Sequence, residues 1–218
     1  MGDREQWRND LKRWGPPRFA YIRMMSFLRR WLILCRITSR AIDPTDRAPD
    51  LVEGPSVRIA TRAELVRAAR DRDMELATAH VEAALNRGDI CASAFDGDRI
   101  VAYTWRSFTI APHIDGLWVT FEPPYRYGYK SFTHPEYRGQ HLQYHVGRLV
   151  DALCAERGYA KSLGFIESHN FSSIANSLRQ GNRLVGWAWY IKLFGRVYPF
   201  RNPGARNHTF RFVRSEDL

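Results

Sequence analysis

Cysteine is scarce in this chain of 218 residues: Cys35, Cys91 and Cys154 are odd in number, far apart and each set in an apolar pattern. That excludes a disulfide framework and leads us to expect reduced, buried thiols in the cytoplasm. Long apolar runs are missing too. The run Trp31 to Cys35 falls far short of the about 20 residues a bilayer span needs, and no signal-peptide pattern precedes it. His134, His145 and His169 show no metal-binding spacing, such as a pair four apart on a helix with an acidic third ligand, so no metal is expected. Repeats and low-complexity tracts are also lacking. Carboxylates are absent from Ser168 to Ser215, while Arg179, Arg183, Lys192, Arg196, Arg201, Arg206, Arg211 and Arg214 fall in that span. With a net charge of +10, one end of the molecule should carry a positive field, either as a plain solvated surface or for an acidic partner.

What is present is a foldable chain, 44% apolar, whose elements can be read in order. Residues 1–54 form an N-terminal basic amphipathic extension and linker. Tyr21, Met24, Leu28, Trp31 and Cys35 fall on one helical face and Arg23, Arg29, Arg30, Arg36 and Arg40 on the other. Such a helix suits packing across a domain or lying on an anionic membrane surface; a local alternative makes Trp31 to Thr38 a strand. Ala41 to Pro55, rich in Asp and Pro, reads as linker. The main domain, 55–218, opens with a strand at Val57 to Ala60. Thr61 and Glu64 then give a capping-box signature for a helix through Ala69. A helix at Leu76 to Leu85 and a hairpin of Ile90 to Phe95 with Arg99 to Phe108 follow. Ala111 to Arg126 reads as irregular, either lining a pocket or capping the sheet. Later come a strand at Lys161 to Ile166, a helix at Asn170 to Gln180, and two strands, Val185 to Leu193 and His208 to Val213, expected to pair antiparallel.

The chain is organised around Tyr129 to Leu142. A β-prone run stops at Pro135, turns through Arg138-Gly139 and launches a long helix from Leu142 to about Cys154, extending to about Arg157. A strand, a tight turn and a helix N-terminus in that order expose main-chain N–H groups in front of a positive pole, which is an anion site.

Pro135-Glu136-Tyr137-Arg138-Gly139 at a strand end, with Asn170 and Ser173 opening a second helix after an intervening strand, resembles the acyl-donor motifs of the GNAT superfamily of N-acyltransferases over residues 56 to 213. The resemblance implies a mixed α/β fold: a central, mostly antiparallel sheet with a splayed strand pair and helices on both faces. It implies acetyl-CoA or a longer acyl-CoA as co-substrate, with an acyl carrier protein as an alternative donor. The residues it places around the donor are Phe132, Thr133, His134, Arg138, Gly139, Gln140, His141, Leu142, Gln143, Asn170 and Ser173. Three positions depart from the family pattern. His141 and Gln143 stand where glycines usually let the backbone approach a pyrophosphate, Ser177 stands where many members carry a tyrosine acid, and Asn182 replaces an aromatic residue.

Transfer of an acyl group from a thioester to an amine needs a base for the amine, donors for the oxyanion and a fate for the thiolate. Glu167, just past a strand end, is the first candidate base and Glu122 the second; a surface or capping role is the bland reading of Glu167. The resemblance implies that main-chain N–H groups at a bulge in the key strand, Phe132 to His134, serve the oxyanion. Tyr129 has the best claim among Tyr127, Tyr129 and Tyr137 to protonate the thiolate, and packing is its bland role. These considerations predict an N-acyltransferase acting by direct transfer on a small-molecule or peptide amine. The alternatives are an inactive acyl-CoA-binding or regulatory module and, ranked last, a basic nucleic-acid-binding protein. Expected partners are the amine, an acidic carrier protein, and a membrane surface touched peripherally by the N-terminal helix.

Overall fold

A computed structural model describes residues 3–43, 45 and 54–218, with the side chains of the first helix described from Leu11 onward. The bulk of the expected linker, Pro44 and residues 46–53, lies outside the described residues. The chain forms two compact units, each assembled from separate stretches. The first takes the chain up to Thr38, Pro112–Val119 and Phe165–Leu218; the second takes Ser39–Ala111 and Thr120–Gly164.

In the first unit, helix α1 (Asp3–Leu28) is broken at Gly15, which sits at φ 74 ahead of Pro16 and Pro17. Strand β1 (Leu32–Ala41) follows directly. The strand reading of Trp31 to Thr38 is therefore the observed one, and Cys35 is a buried strand residue, not part of a helical stripe. The buried face of α1 also differs from the expected stripe: Met25 is buried and Met24 exposed. Tyr21 and Trp14 turn toward the later helix α5 (Phe171–Arg179), Tyr21 through a 2.7 Å hydrogen bond to Ser168 and Trp14 through ring contact with Phe171.

Strand β9 (Arg183–Leu193) pairs antiparallel with β10 (Arg196–Arg201) in a tight hairpin. This corrects the expected pairing of β9 with the last strand. That last strand, β11 (Arg211–Arg214), belongs to a small separate sheet with β6 (Leu117–Thr120) and β5 (Ile110–Ile114). Pro199 obscures β10, but the strand is at a sheet edge, where the missing N–H costs no ladder bond. Helix α6 (Pro203–Asn207) packs against β9 at Gly186. A Cβ there would meet Ala205 N at 2.3 Å, so only glycine allows the approach. The apolar centre of this unit is aromatic: Tyr190, Phe210 and Phe212 are buried, and His113 stacks on Phe212 and meets Tyr190 edge-on.

In the second unit the strands run in the order β8-β7-β4-β3-β2. They are β2 (Ser56–Ile59), β3 (Ile90–Asp96), β4 (Arg99–Ser107), β7 (Tyr125–Thr133) and the start of β8 (Lys161–Glu167). All neighbouring pairs are antiparallel except β7 with β8, which are parallel. Helices α2 (Arg62–Ala68) and α3 (Thr78–Asn86) cover one face, and their core gathers Leu65, Val81, Tyr103 and Trp105. The predicted capping box is present, Thr61 and Glu64 bonding each other's backbone N–H. Helix α4 (Leu142–Glu156) packs on Ala92, Ala94, Val101 and Ala102 through Leu142, Val146, Val150 and Cys154. All three cysteines are buried and free.

A buried ionic cluster lies beneath α4. Asp151 is paired with Arg40 and Arg126, and Arg106 stands 4.0 Å from it. Burial raises the Asp151 carboxyl, but Arg126, Arg106 and Arg40 outweigh that and hold it below the usual carboxylate range. Arg106 is pushed down to about 9 by burial and by repulsion from Arg126, which Asp151 only partly offsets.

Candidate functional site

The second half of β7 carries the feature that sets this strand apart. Its parallel pairing with β8 runs over Tyr125–Tyr127 against Lys161–Leu163, and β7 then continues to Thr133. Opposite β4 the register slips between Trp105↔Tyr129 and Thr104↔Ser131, leaving Lys130 as the extra residue of a β-bulge at φ 43. The bulge resets the side-chain alternation, so Tyr129 and Phe132 both pack toward the α2–α3 face.

The bulge also sorts the main-chain donors. His134 N–H donates to Val101 O at 2.9 Å. By the two-residue alternation of an antiparallel ladder, Phe132 faces β4 as well, while Ser131 and Thr133 turn their N–H groups to the opposite edge. Of the three expected oxyanion donors, Thr133 is therefore the one directed away from β4, and His134 is spent.

After β7 the chain makes a single 3₁₀ turn (Pro135–Tyr137), passes Arg138, and enters α4 through Gly139 at φ 89 and His141 at φ 56. His141 is the N-cap residue, yet its side chain makes no capping bond and the first turn of α4 holds no acid. The leading N–H groups of a fifteen-residue helix are thus left without a side-chain cap. Gly139, Gln140 and His141 are exposed, and Leu142 is buried. Arg138 reaches back to Thr133 O at 3.3 Å. The Gln143 side chain does not narrow the loop. Its Nε2 donates to Phe132 O at 2.6 Å, Thr133 Oγ1 at 3.1 Å and Tyr103 O at 3.2 Å, which ties the helix start to the bulged strand. His134 is buried, and its Nε2 must accept from Arg99 at 3.1 Å, because a guanidinium only donates.

No family model matches the chain, and no curated protein matches it. Solved structures do. A protein from Novosphingobium aromaticivorans ascribed to the GNAT acetyltransferases aligns at TM-score 0.50 and 17% identity, covering 73% of this chain. A GCN5-related N-acetyltransferase from Sphaerobacter thermophilus aligns at TM-score 0.51 and 12% identity, covering 84%. A Drosophila protein aligns at TM-score 0.52 and 13% identity, covering 81%. The chain has the GNAT fold. It spans less than two thirds of each of those proteins, 63%, 57% and 57% of their lengths respectively.

Within this GNAT fold the α2–α3 face of the sheet carries a polar cluster that sequence reading missed. Tyr129 OH donates to Asp89 Oδ2 at 2.5 Å, and Arg87 donates to the same oxygen at 2.8 Å. Asp89 is buried, and its Oδ1 has no hydrogen-bond partner among the described residues. His80 on α3 lies edge-on to Trp105 and Tyr129, at 5.4 and 5.9 Å between ring centroids, and its Nε2 is likewise buried without a partner among them. Burial, then the charges of Lys130 and Arg87, push the His80 imidazole down to about 4, so it is neutral at pH 7. The Tyr129 hydroxyl is pushed well above its ordinary value by burial and by its bond to Asp89, so it titrates out of the physiological range.

The remaining expected residues are held by contacts of their own. Glu122 is exposed, in the loop before β7. Glu167, Asn170 and Ser173 belong to the first unit. Glu167 pairs with Arg29 at 2.8 Å and approaches His169 at 3.7 Å. Asn170 caps α5, its Oδ1 accepting from Ser173 N at 3.1 Å, and Ser177 is buried on the same helix. Asp89 lies 40 residues before its partner Tyr129; Tyr129 was a sequence candidate in another role, and the acid just before strand β3 carried no motif of its own.

Proposed function

We propose that the protein is an N-acyltransferase that takes an acyl group from an acyl-CoA, or from the prosthetic arm of a carrier protein, and delivers it directly to the amine of a small molecule or peptide. The observation that carries this reading is the joint one at β7 and α4: a bulged strand whose outer edge presents Thr133 N–H, followed at once by an uncapped helix N-terminus with Gly139 and His141 in the left-handed region. The helix N-terminus would hold the donor's pyrophosphate through Gly139 to Gln143 backbone N–H groups, with Arg138 adding charge. Thr133 N–H would face the thioester oxygen as negative charge develops on it.

On the amine side, His80 Nε2 and Asp89 Oδ1 are buried without a hydrogen-bond partner among the described residues; with the His80 proton on Nδ1, both would accept from the incoming amine and orient it. His80 is deprotonated at neutral pH and takes the proton as the new amide bond forms. Glu167, held by Arg29, suits a structural ion pair better. Tyr129, with its ionisation raised, suits the role of fixing Asp89 rather than of giving up its proton. The C–S bond breaks to a thiolate with a conjugate-acid pKa of about 8.5, which leaves without an obligatory acid near neutral pH.

The test is incubation of the purified chain with acetyl-CoA and, separately, a long-chain acyl-CoA over a panel of primary amines, reading free thiol release and product mass. Release that depends on amine supports transfer. Binding of CoA with no amine-dependent release identifies a regulatory module on the same fold.

A further inference from the structure

The first unit carries an exposed apolar patch that the transfer reading does not use. At the end of α1, Met24, Phe27 and Trp31 are 50%, 59% and 43% exposed, with Phe27 and Trp31 in edge-to-face contact at 5.7 Å. The β9–β10 hairpin lies directly beside them, because Lys192 N–H donates to Trp31 O at 2.7 Å. Two residues on, at the hairpin tip, Phe194 is 98% exposed at φ 51, and Leu193 is also exposed. A fully exposed phenylalanine held by a turn in a sterically costly conformation has no folding rationale.

The rim of this patch is cationic. Arg30 lies over both the Phe27 and Trp31 rings, at 5.1 and 4.8 Å. Arg29, which bonds Glu167, and Arg196, just past the hairpin tip, are exposed close by in the chain. Neither contributing stretch has acids of its own: Leu11 to Ala41 holds eight Lys or Arg and no Asp or Glu, and Ser168 to Ser215 repeats that balance. Among the described residues no helix is long and apolar enough to cross a membrane.

We propose that this patch seats the protein on an anionic lipid bilayer, with Phe27, Trp31, Leu193 and Phe194 entering the headgroup–acyl boundary and the surrounding arginines and Lys192 meeting lipid phosphates. The pairing of interfacial aromatics with a cationic rim, in which Glu167 neutralises Arg29 alone among the named arginines, is what such a surface selects. A nucleic acid would use the charge but has no need of a hydrophobic tip on a β-turn.

Co-sedimentation of the full chain with phosphatidylcholine vesicles, with and without phosphatidylglycerol, tests the assignment. Binding is expected only to the anionic vesicles. Phe194→Asn, which keeps the left-handed turn, and Phe27→Ser should each weaken partitioning by about tenfold, the effect of withdrawing one aromatic side chain from the interface. Both positions are exposed, and an unchanged thermal melt confirms the fold. The proposal is overturned if the chain stays in solution with anionic vesicles, if both variants pellet as well as wild type, or if a single-stranded oligonucleotide binds tightly with equal strength in wild type and Phe194→Asn.

Discussion

Gln143 Nε2 donates to the carbonyl oxygen of Phe132 at 2.6 Å, joining the first turn of α4 to the bulged strand β7. The bond fixes the distance between the two main-chain features proposed to hold the donor, the helix amides and Thr133 N–H. Gln143→Ala should lower stability by about 1 kcal/mol, the net worth of a typical internal hydrogen bond, and should weaken acyl-CoA binding more than it slows a saturated enzyme. Gln143→Glu sets a carboxylate against two carbonyl oxygens and should be worse on both counts. Calorimetric titration with CoA, alongside a melt, separates the two effects.

Asp89→Asn keeps the shape of the cluster and removes its charge. Tyr129 can still donate to the amide oxygen that the substitution leaves in place, but Arg87, 2.8 Å from the buried carboxylate, loses its charged partner, so the melt should fall, while the acceptor amine loses one of its two orienting atoms and its KM rises. Tyr129→Phe withdraws a partner from a buried carboxylate and should cost about 1 to 3 kcal/mol of stability. Denaturant unfolding and amine-dependent kinetics on both variants check the pair.

Much of this fold was legible from local signals. The Thr61–Glu64 capping box, the β3–β4 hairpin and α4 each depend on chemistry within a few residues, and each appears where the pattern puts it. The β5–β6 hairpin was lost because its strands are short and turn at Asp115-Gly116 inside a stretch rich in aromatics. Strand β10 was lost to Pro199. At the site, the helix N-terminus was legible because it is a property of one segment. The His80–Asp89–Tyr129 cluster was not, since separate segments bring it together and none shows a motif alone.

Histidine burial gives the fold a pH dependence with a definite sign. His80 and His113 are pushed from 6.5 to about 4, both first by burial. The unfolded chain therefore binds more protons than the folded one between those values. Their contribution to stability is complete above pH 6.5 and is lost progressively as pH falls through about 4. Urea unfolding midpoints across that interval should fall with pH, and the double variant His80→Gln/His113→Gln should flatten the curve.

Removing Asp151 strands three guanidinium groups in or at the edge of the core. Asp151→Asn should destabilise the chain by about 3 kcal/mol or more, the scale for breaking a buried ion pair from one side. Asp151→Asn combined with Arg106→Met should recover part of that loss, because one unpaired charge leaves with its partner. Chemical denaturation of the single and double variants reads the difference.

The central claim is that main-chain amides at the start of α4 grip the acyl donor, and amide hydrogen exchange with and without saturating CoA tests it residue by residue. The account predicts slowed exchange at Gly139 to Gln143 and at Thr133, with the paired His134 amide unchanged. Protection confined to other segments, or none at these positions under conditions where CoA binds, would contradict it.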